Sequence, residues 1–134
     1  MQRSMWRAAS VARAATLAAL LGLAGCGGSG APAVSGSSTE VTVSGTVTYK
    51  GKPVTEGEIV FDPANINRRD APMATAPIGA DGAYTIKTLE GENTVSFRTP
   101  AISKKDFTAA SASYVYEAPA GESTKDFEIG ASNP

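Results

Sequence analysis

Residues 40–63 read EVTVSGTVTYKGKPVTEGEIVFDP, and this stretch decides the fold class. In its first half, valines alternate with threonine and serine, so the apolar side chains fall on one face of an extended chain. That period of two predicts a half-buried β-strand. Residues 50–53, KGKP, predict a turn, because glycine allows positive φ and proline presets φ. A second alternating run, residues 57–63, then predicts a second strand.

Short alternating runs bounded by turn residues recur to the end of the chain. Asp81-Gly82 predicts one tight turn, and Pro77 inside a run favours an edge strand. No stretch after Cys26 has a helical apolar stripe of useful length, and residues 102–113, which come nearest, are expected to form a loop or a single turn. About seven short strands predict an all-β sandwich over residues 40–130. The predicted strands are residues 40–50, 57–63, 73–78, 83–88, 93–100, 112–119 and 125–130.

Three segments together resemble a known family. VSGTVTYKGKPVTEGEIVFDP, ADGAYTIKT and NTVSFRTP are similar to the carboxypeptidase regulatory-like domain. Members are transthyretin-like, or prealbumin-like, so the resemblance implies a single Greek-key β-sandwich. It implies a fold rather than an activity, because the matching residues are turn and core positions. Glu92-Asn93-Thr94 departs from the family's Gly-x-Y before the fifth strand. The matching residues are Val43, Gly45, Val47, Gly51, Pro53, Val54, Gly57, Ile59, Phe61, Asp81, Gly82, Tyr84 and Ile86.

The first 25 residues are typical of a secretory signal. A short basic segment, MQRSMWRAASVAR, precedes the apolar run AATLAALLGL, and small residues follow. The apolar run is too short to cross a bilayer, which needs about 20 residues. Leu23-Ala24-Gly25-Cys26 then resembles the lipobox of bacterial lipoproteins. In that family the cysteine thiol is diacylated and the chain is cut before it, so the resemblance implies lipidation of Cys26 and removal of residues 1–25.

Lipidation of Cys26 would make the membrane a partner, since two or more acyl chains hold a protein stably. Gly27 follows, rather than the aspartate associated with inner-membrane retention, so the resemblance implies the outer membrane of the cell envelope. Two other interpretations remain open: a plain signal peptide with an incidental cysteine, and an organellar transit peptide. Residues 26–39 are expected to be a disordered Gly/Ser-rich linker with a reach of roughly 20 Å, and residues 131–134 a disordered tail.

The composition narrows the function classes. Arg3, Arg7 and Arg13 account for three of the 12 basic residues, so nine remain against 13 acidic ones, a net charge of −4 for the rest of the chain. That balance argues against a nucleic-acid partner, which needs a basic face. The chain has no histidine, the commonest general base and zinc ligand, so a zinc peptidase is not expected. One cysteine allows no intrachain disulfide.

The remaining candidates for chemistry each have a simpler structural interpretation. The candidate serine–lysine pair is better explained by solvated lysines, and the candidate calcium-binding carboxylates by turn and loop residues. The candidate anion-binding arginine pair is better explained by exposed charges. The candidate aromatic ligand face is better explained by tyrosines in the core or at its rim. We therefore expect no metal and no cofactor. These candidates are, in the same order, Ser103-Lys104-Lys105; Asp62, Asp70, Asp81, Glu90 and Glu92; Arg68 and Arg69; and Tyr114 and Tyr116.

Taken together, the sequence predicts a non-catalytic, membrane-anchored lipoprotein with a structural or interaction role at the bacterial cell envelope. An envelope protein or a glycan is the expected partner. The alternative is a carbohydrate- or peptide-binding module at the cell surface that uses the loops at residues 63–72 and 100–113.

Overall fold

The computed structural model describes residues 34–131. The predicted signal peptide, Cys26, residues 27–33 of the predicted linker, and residues 132–134 of the tail predicted at 131–134 lie outside the described residues. No helix within the described range is long and apolar enough to cross a membrane. The elements are β1 (Glu40–Tyr49), β2 (Lys52–Pro53), β3 (Glu58–Asp62), β4 (Ala74–Pro77), β5 (Ala83–Leu89), β6 (Gly91–Arg98), α1 (Pro100–Ser103), α2 (Phe107–Ala110), β7 (Tyr114–Ala118), β8 (Glu122–Thr124) and β9 (Phe127–Ile129).

The strands form two sheets. In sheet one, β1 is central: it pairs antiparallel with β5 and β2, and in parallel with β8 and β9. In sheet two the strands lie in the order β4-β3-β6-β7, and all neighbours are antiparallel. β4, which carries Pro77, lies at the edge of sheet two, as the sequence predicts. The all-β expectation over residues 40–130 is confirmed at this level.

The two sheets share one hydrophobic core. Phe61 of sheet two lies 6.2 Å, between ring centroids, from both Tyr84 and Phe127 of sheet one. Phe97 of sheet two lies 5.8 Å from the same Phe127. Along β5 and β6 every second side chain is buried, which is the period of two that the sequence shows. Burial of these side chains supplies the main driving force for folding.

The structure has more strands than the seven predicted, for two local reasons. β2 is the second strand, only two residues long, of a hairpin with β1, and the turn of this hairpin is Lys50-Gly51, both at positive φ. β8 is separated from β9 by Lys125-Asp126, where the chain passes very close to β1 at Gly45. A Cβ at Gly45 would overlap the carbonyl oxygen of Lys125, so this glycine is required by the close approach of two backbones.

Residues 100–113 form two short helices, α1 and α2, where a loop or a single turn was expected. Asp106 caps the second helix, because its Oδ1 accepts a hydrogen bond from the Ala109 amide at 3.0 Å. Ile102, Ala109 and Ala110 are buried in the core. Both helices have only four residues, too few to show the periodic apolar stripe by which a helix is recognised in a sequence.

The sandwich has two distinct ends. The entry end contains residues 34–40, where the described chain begins, together with loop 63–72 and the β5–β6 turn. The opposite end contains the β1–β2 hairpin, residues 54–57 and helix α1. The ten residues of β1 run from one end to the other. At about 3.4 Å per residue, that separates the two ends by roughly 30 Å.

Candidate functional site

A groove opens at the end of the sandwich opposite the entry end. We name it the corner groove, because it lies between the corner after β2 and the start of α1. Its volume is about 180 Å³. The floor is apolar and includes buried Val54 and Ile102, while Lys52 and Glu56 are exposed at its margin. The lining residues are Tyr49, Lys52, Pro53, Val54, Thr55, Glu56, Thr99, Ala101 and Ile102.

Thr99 is the notable polar residue of the corner groove. It is 2% exposed, and its Oγ1 has no hydrogen-bond partner among the described residues. Thr99 occupies the N-cap position of α1, yet its side chain does not cap the helix. Its carbonyl oxygen instead accepts hydrogen bonds from the amides of Ile102 and Ser103. A buried hydroxyl without a partner loses free energy of solvation, so a partner supplied from outside would be favourable.

A second groove lies beside the β1–β2 hairpin and contains two carboxylates, Asp106 and Glu128. Tyr49 donates its hydroxyl hydrogen to Asp106 at 3.1 Å. The Glu128 carboxylate accepts from the Thr48 hydroxyl and, at 3.0 Å, from the Gly51 amide. Both carboxylates therefore already have protein donors, and they join β1 to α2 and to β9.

Hydrogen bonding perturbs the charged groups of this second groove. The pKa of Asp106 is lowered, first by the Ala109 amide and then by the Tyr49 hydroxyl. The pKa of Glu128 is lowered by the Thr48 hydroxyl and then by the Gly51 amide. The pKa of Lys50 is raised, chiefly by its hydrogen bond to Tyr49. All three charges are held by neighbouring groups in their ionised forms, as in a structural network.

The residues singled out in the sequence do not meet in one site. Lys104 and Lys105 are exposed, as solvated lysines would be. Tyr114 is buried and donates to the Glu128 carbonyl at 2.7 Å, and half-buried Tyr116 donates to Ser123 Oγ at 2.9 Å, which confirms the core-or-rim interpretation.

Three of the candidate carboxylates accept hydrogen bonds from other groups of the chain. Asp62 and Asp81 each accept a hydrogen bond from the amide two residues on, which confirms Asp81 as a turn residue. Glu90 accepts from the Ser37 hydroxyl at 3.0 Å. Within residues 34–131, no three acidic or cysteine side chains cluster closely enough to hold a metal ion.

The two candidate arginines differ sharply. Arg69 is exposed, as expected for a solvated charge. Arg68 is half-buried and donates to four backbone carbonyls, so the expectation that it is simply exposed is wrong. The error arose because both arginines lie in one polar run, and only the tertiary structure brings carbonyl groups from two other segments, in addition to one from its own loop, to Arg68.

Two residues of structural weight, Thr99 and Asn93, were not among the candidate functional residues predicted from the sequence. Thr99 follows a predicted strand in an ordinary strand-end context. The sequence offers one clue to it: Pro100 directly follows, and proline is favoured in the first turn of a helix, which marks the preceding residue as a cap position.

Comparisons with known proteins give similarities of structure but none of sequence. No protein-family model matches the chain, and no curated protein sequence matches it. The crystal structure of a DUF3823 family protein from Parabacteroides merdae is similar, with 14% sequence identity and a TM-score of 0.49. The similarity covers 67% of this chain and 45% of that one, so this chain spans less than half the length of its structural neighbour.

Proposed function

We propose that the protein is a non-catalytic lipoprotein, anchored in a membrane of the bacterial cell envelope through lipidated Cys26, with a structural or interaction role there. The observation that carries the proposal is the sequence Leu23-Ala24-Gly25-Cys26, placed directly after a basic segment and a short apolar run. The absence of histidine from the whole chain supports a non-catalytic role, because histidine is the commonest general base.

The described fold supports an anchored role through its two ends. The N-terminal chain reaches the body at the entry end, and the corner groove lies at the other end, roughly 30 Å away along β1. An anchor attached at the entry end leaves the corner groove and its surrounding loops free to meet a partner. The anchored body is therefore suited to present a surface away from the lipid.

The finer fold assignment, a transthyretin-like Greek-key sandwich of the carboxypeptidase regulatory-like kind, is also part of this proposal. The strand order supports it, because β1 has the distant β5, β8 and β9 as neighbours and β3 lies beside β6. Such non-sequential pairing requires connections that pass from one sheet to the other, as in Greek-key sandwiches.

The intact mass of the protein extracted from membranes tests the anchor. We expect a chain that lacks residues 1–25 and carries a diacylglyceryl group, with or without an additional acyl chain, on residue 26. A full-length unacylated chain in the cytosol would contradict the proposal. A processed but unacylated chain in the soluble fraction would support the plain signal peptide instead.

A second candidate function is the binding of a peptide or a glycan, and the corner groove favours it. Its apolar floor fits an apolar side chain or a sugar face, and one of its lining residues is Thr99, whose buried hydroxyl has no partner in the described chain. Binding sites commonly combine an apolar lining with a few polar groups that fix orientation. Of the two loops proposed from the sequence, only 100–113 contributes to this groove.

Titration calorimetry with peptidoglycan fragments, neutral glycans and extended peptides tests the second function. Ala101→Trp would fill the groove from the exposed face of α1, and Ala120→Trp, at an exposed loop residue elsewhere, is its matched control. We expect binding to be lost in the first variant and kept in the second. Equal binding by both variants would exclude the corner groove as the site.

A further inference from the structure

We propose that loop 63–72 and the β5–β6 turn form a binding site for an extended polar peptide, and that its ligand is this chain's own segment 34–39. We name this site the segment dock. It lies at the entry end, away from the corner groove. The inference adds to the proposed function, and only its consequence for anchoring depends on lipidation of Cys26.

The segment dock recognises the main chain of its ligand. The side-chain amide of Asn67 donates to the Val34 carbonyl at 2.6 Å, and the amide of Asn65 donates to the Ser35 carbonyl at 2.9 Å. The Glu90 backbone amide donates to the Thr39 carbonyl at 2.8 Å. Donors from two separate parts of the body thus hold successive carbonyls of the segment, as donors do in main-chain recognition of extended peptides.

Arg68 is the centre of the segment dock. Its Nη1 donates to the carbonyls of Ser37 at 2.8 Å and Glu90 at 2.6 Å. Its Nε and Nη2 donate to the carbonyls of Pro63 and Glu92 at 2.6 and 2.7 Å. A guanidinium has five N–H donors in a fixed plane, so one side chain joins the segment, the loop and the turn.

Close contact with the segment requires a glycine in the β5–β6 turn. Gly91 has φ of +94°, and a Cβ there would overlap the side chain of Ser35. The Ser35 hydroxyl donates to the Glu90 carbonyl at 3.3 Å, and the Ser37 hydroxyl donates to the Glu90 carboxylate at 3.0 Å. Each of these two serine oxygens also accepts a backbone amide two residues on. The serine content of the segment therefore has a structural use in the dock.

The dock has two consequences. First, the side-chain donors of Asn65, Asn67 and Arg68 are occupied within the chain, so they are not available to an external glycan or peptide. Secondly, the body holds the chain from residue 34 rather than from residue 40. If Cys26 is lipidated, seven residues, 27–33, separate the anchor from the first held residue, instead of the 13 residues 27–39.

Backbone ¹⁵N relaxation of the full chain in detergent tests the dock, with Arg68→Ala and its exposed neighbour Arg69→Ala as a matched pair. We expect order parameters of about 0.85 for residues 35–39 in the parent and in Arg69→Ala, and values below about 0.6 in Arg68→Ala. Exchange of the Glu90 amide hydrogen should accelerate by about tenfold or more in Arg68→Ala alone. A mobile segment in the parent, or the same result for both variants, would overturn the proposal.

Asn67→Ala keeps the test decisive if Arg68→Ala fails to fold. Asn67 is exposed, and its side-chain amide donates to the Val34 carbonyl. We expect greater mobility near residues 34 and 35 with an unchanged unfolding temperature, and unchanged mobility there would contradict the dock. A mobile segment on an acylated protein would refute the segment dock and support the membrane anchor. An ordered segment on an unacylated protein would support the segment dock and refute the membrane anchor.

Discussion

Asn93 holds the β5–β6 turn from inside the protein. It is fully buried, and its Oδ1 accepts the Thr88 hydroxyl hydrogen at 2.5 Å. Its Nδ2 donates to the carbonyls of Leu89 and Gly91 at 2.9 and 2.8 Å. Because a buried amide is costly unless it is hydrogen-bonded, these bonds are what permit an asparagine here.

Phe61 is the residue whose truncation we expect to matter most in the core. It is fully buried and lies between Tyr84 and Phe127. Phe61→Ala should lower the free energy of unfolding by about 3–5 kcal/mol, through lost burial and the cavity that remains. Phe107→Ala is the control, because Phe107 is 74% exposed and its loss should change stability by less than about 0.5 kcal/mol. Equal shifts of the urea midpoint in the two variants would show that Phe61 is not a core residue.

Gly45 tests the close approach of the link between β8 and β9 to β1. Gly45→Ala should destabilise the protein by about 3 kcal/mol, the upper part of the range for overpacking, since the added Cβ meets backbone rather than a flexible side chain. Gly36→Ala is the control, because a Cβ there would lie 3.6 Å from Asn67 Cβ, an ordinary contact. Thermal unfolding measures both, and a Gly45→Ala variant as stable as the parent would contradict the close approach.

At the scale of elements, side-chain carboxylates join pieces that backbone pairing alone holds weakly. Glu128 connects the three-residue strand β9 to Thr48 of β1 and to the hairpin turn at Gly51. Asp106 caps the four-residue helix α2 and accepts a hydrogen bond from Tyr49 of β1. Elements this short gain little from their own hydrogen bonds, so these bridges help to set their positions on the sandwich.

These bridges predict a loss of stability in acid. The folded-state pKa values of Asp106 and Glu128 lie below their ordinary values of 3.8 and 4.5. A lowered pKa means that the folded state favours the ionised form, so the stabilisation is present above those values and is lost as the pH falls through the folded-state pKa values. The unfolding temperature should therefore fall as the pH drops below about 4.5.

Matched variants check the acid prediction. Asp106→Asn and Glu128→Gln should each lower the unfolding temperature at neutral pH and reduce its decline between about pH 5 and pH 2.5. Glu117→Gln, which replaces an exposed carboxylate on β7, should keep the steep decline. If all three variants decline as steeply as the parent, other groups are responsible for the acid effect.

At the scale of the whole molecule, the two ends of the sandwich differ: the N-terminal segment joins the body at one end, and the apolar corner groove lies at the other. β1 connects the two ends and takes part in every pairing of sheet one. A domain of this size has a net stability of only about 5–15 kcal/mol, so the loss of one core side chain, or a side chain added at Gly45, removes a large fraction of it.

Cys26→Ser tests the role of the whole molecule in the cell. Serine has no thiol to acylate, so we expect the variant to move from the membrane fraction to the soluble exported fraction or to accumulate uncut. Ser29→Ala, three residues further on, should leave the protein in the membrane fraction. Cell fractionation with detection of the protein is the measurement. Membrane retention of Cys26→Ser would show that something other than this thiol holds the protein.

The sequence was sufficient for the features that depend on local pattern. The period of two along residues 40–50 and 83–88 predicted strands whose alternate side chains are buried, because alternation follows from the geometry of an extended chain. Glycine and proline predicted a turn at residues 50–53, where the structure has a hairpin turn at Lys50-Gly51 followed by β2. They also predicted the edge position of β4, since their allowed φ angles and missing donors act locally.

Only the tertiary structure decided which distant groups meet. The parallel pairing of β1 with β8 and β9, the four carbonyls around Arg68 and the lack of a partner for Thr99 Oγ1 within residues 34–131 all depend on how loops close. No local pattern encodes such contacts, because each is the outcome of packing two sheets around one core. Arg68 and Arg69 are neighbours of the same type in the sequence. Only the fold places Arg68 against four backbone carbonyls and leaves Arg69 exposed to solvent.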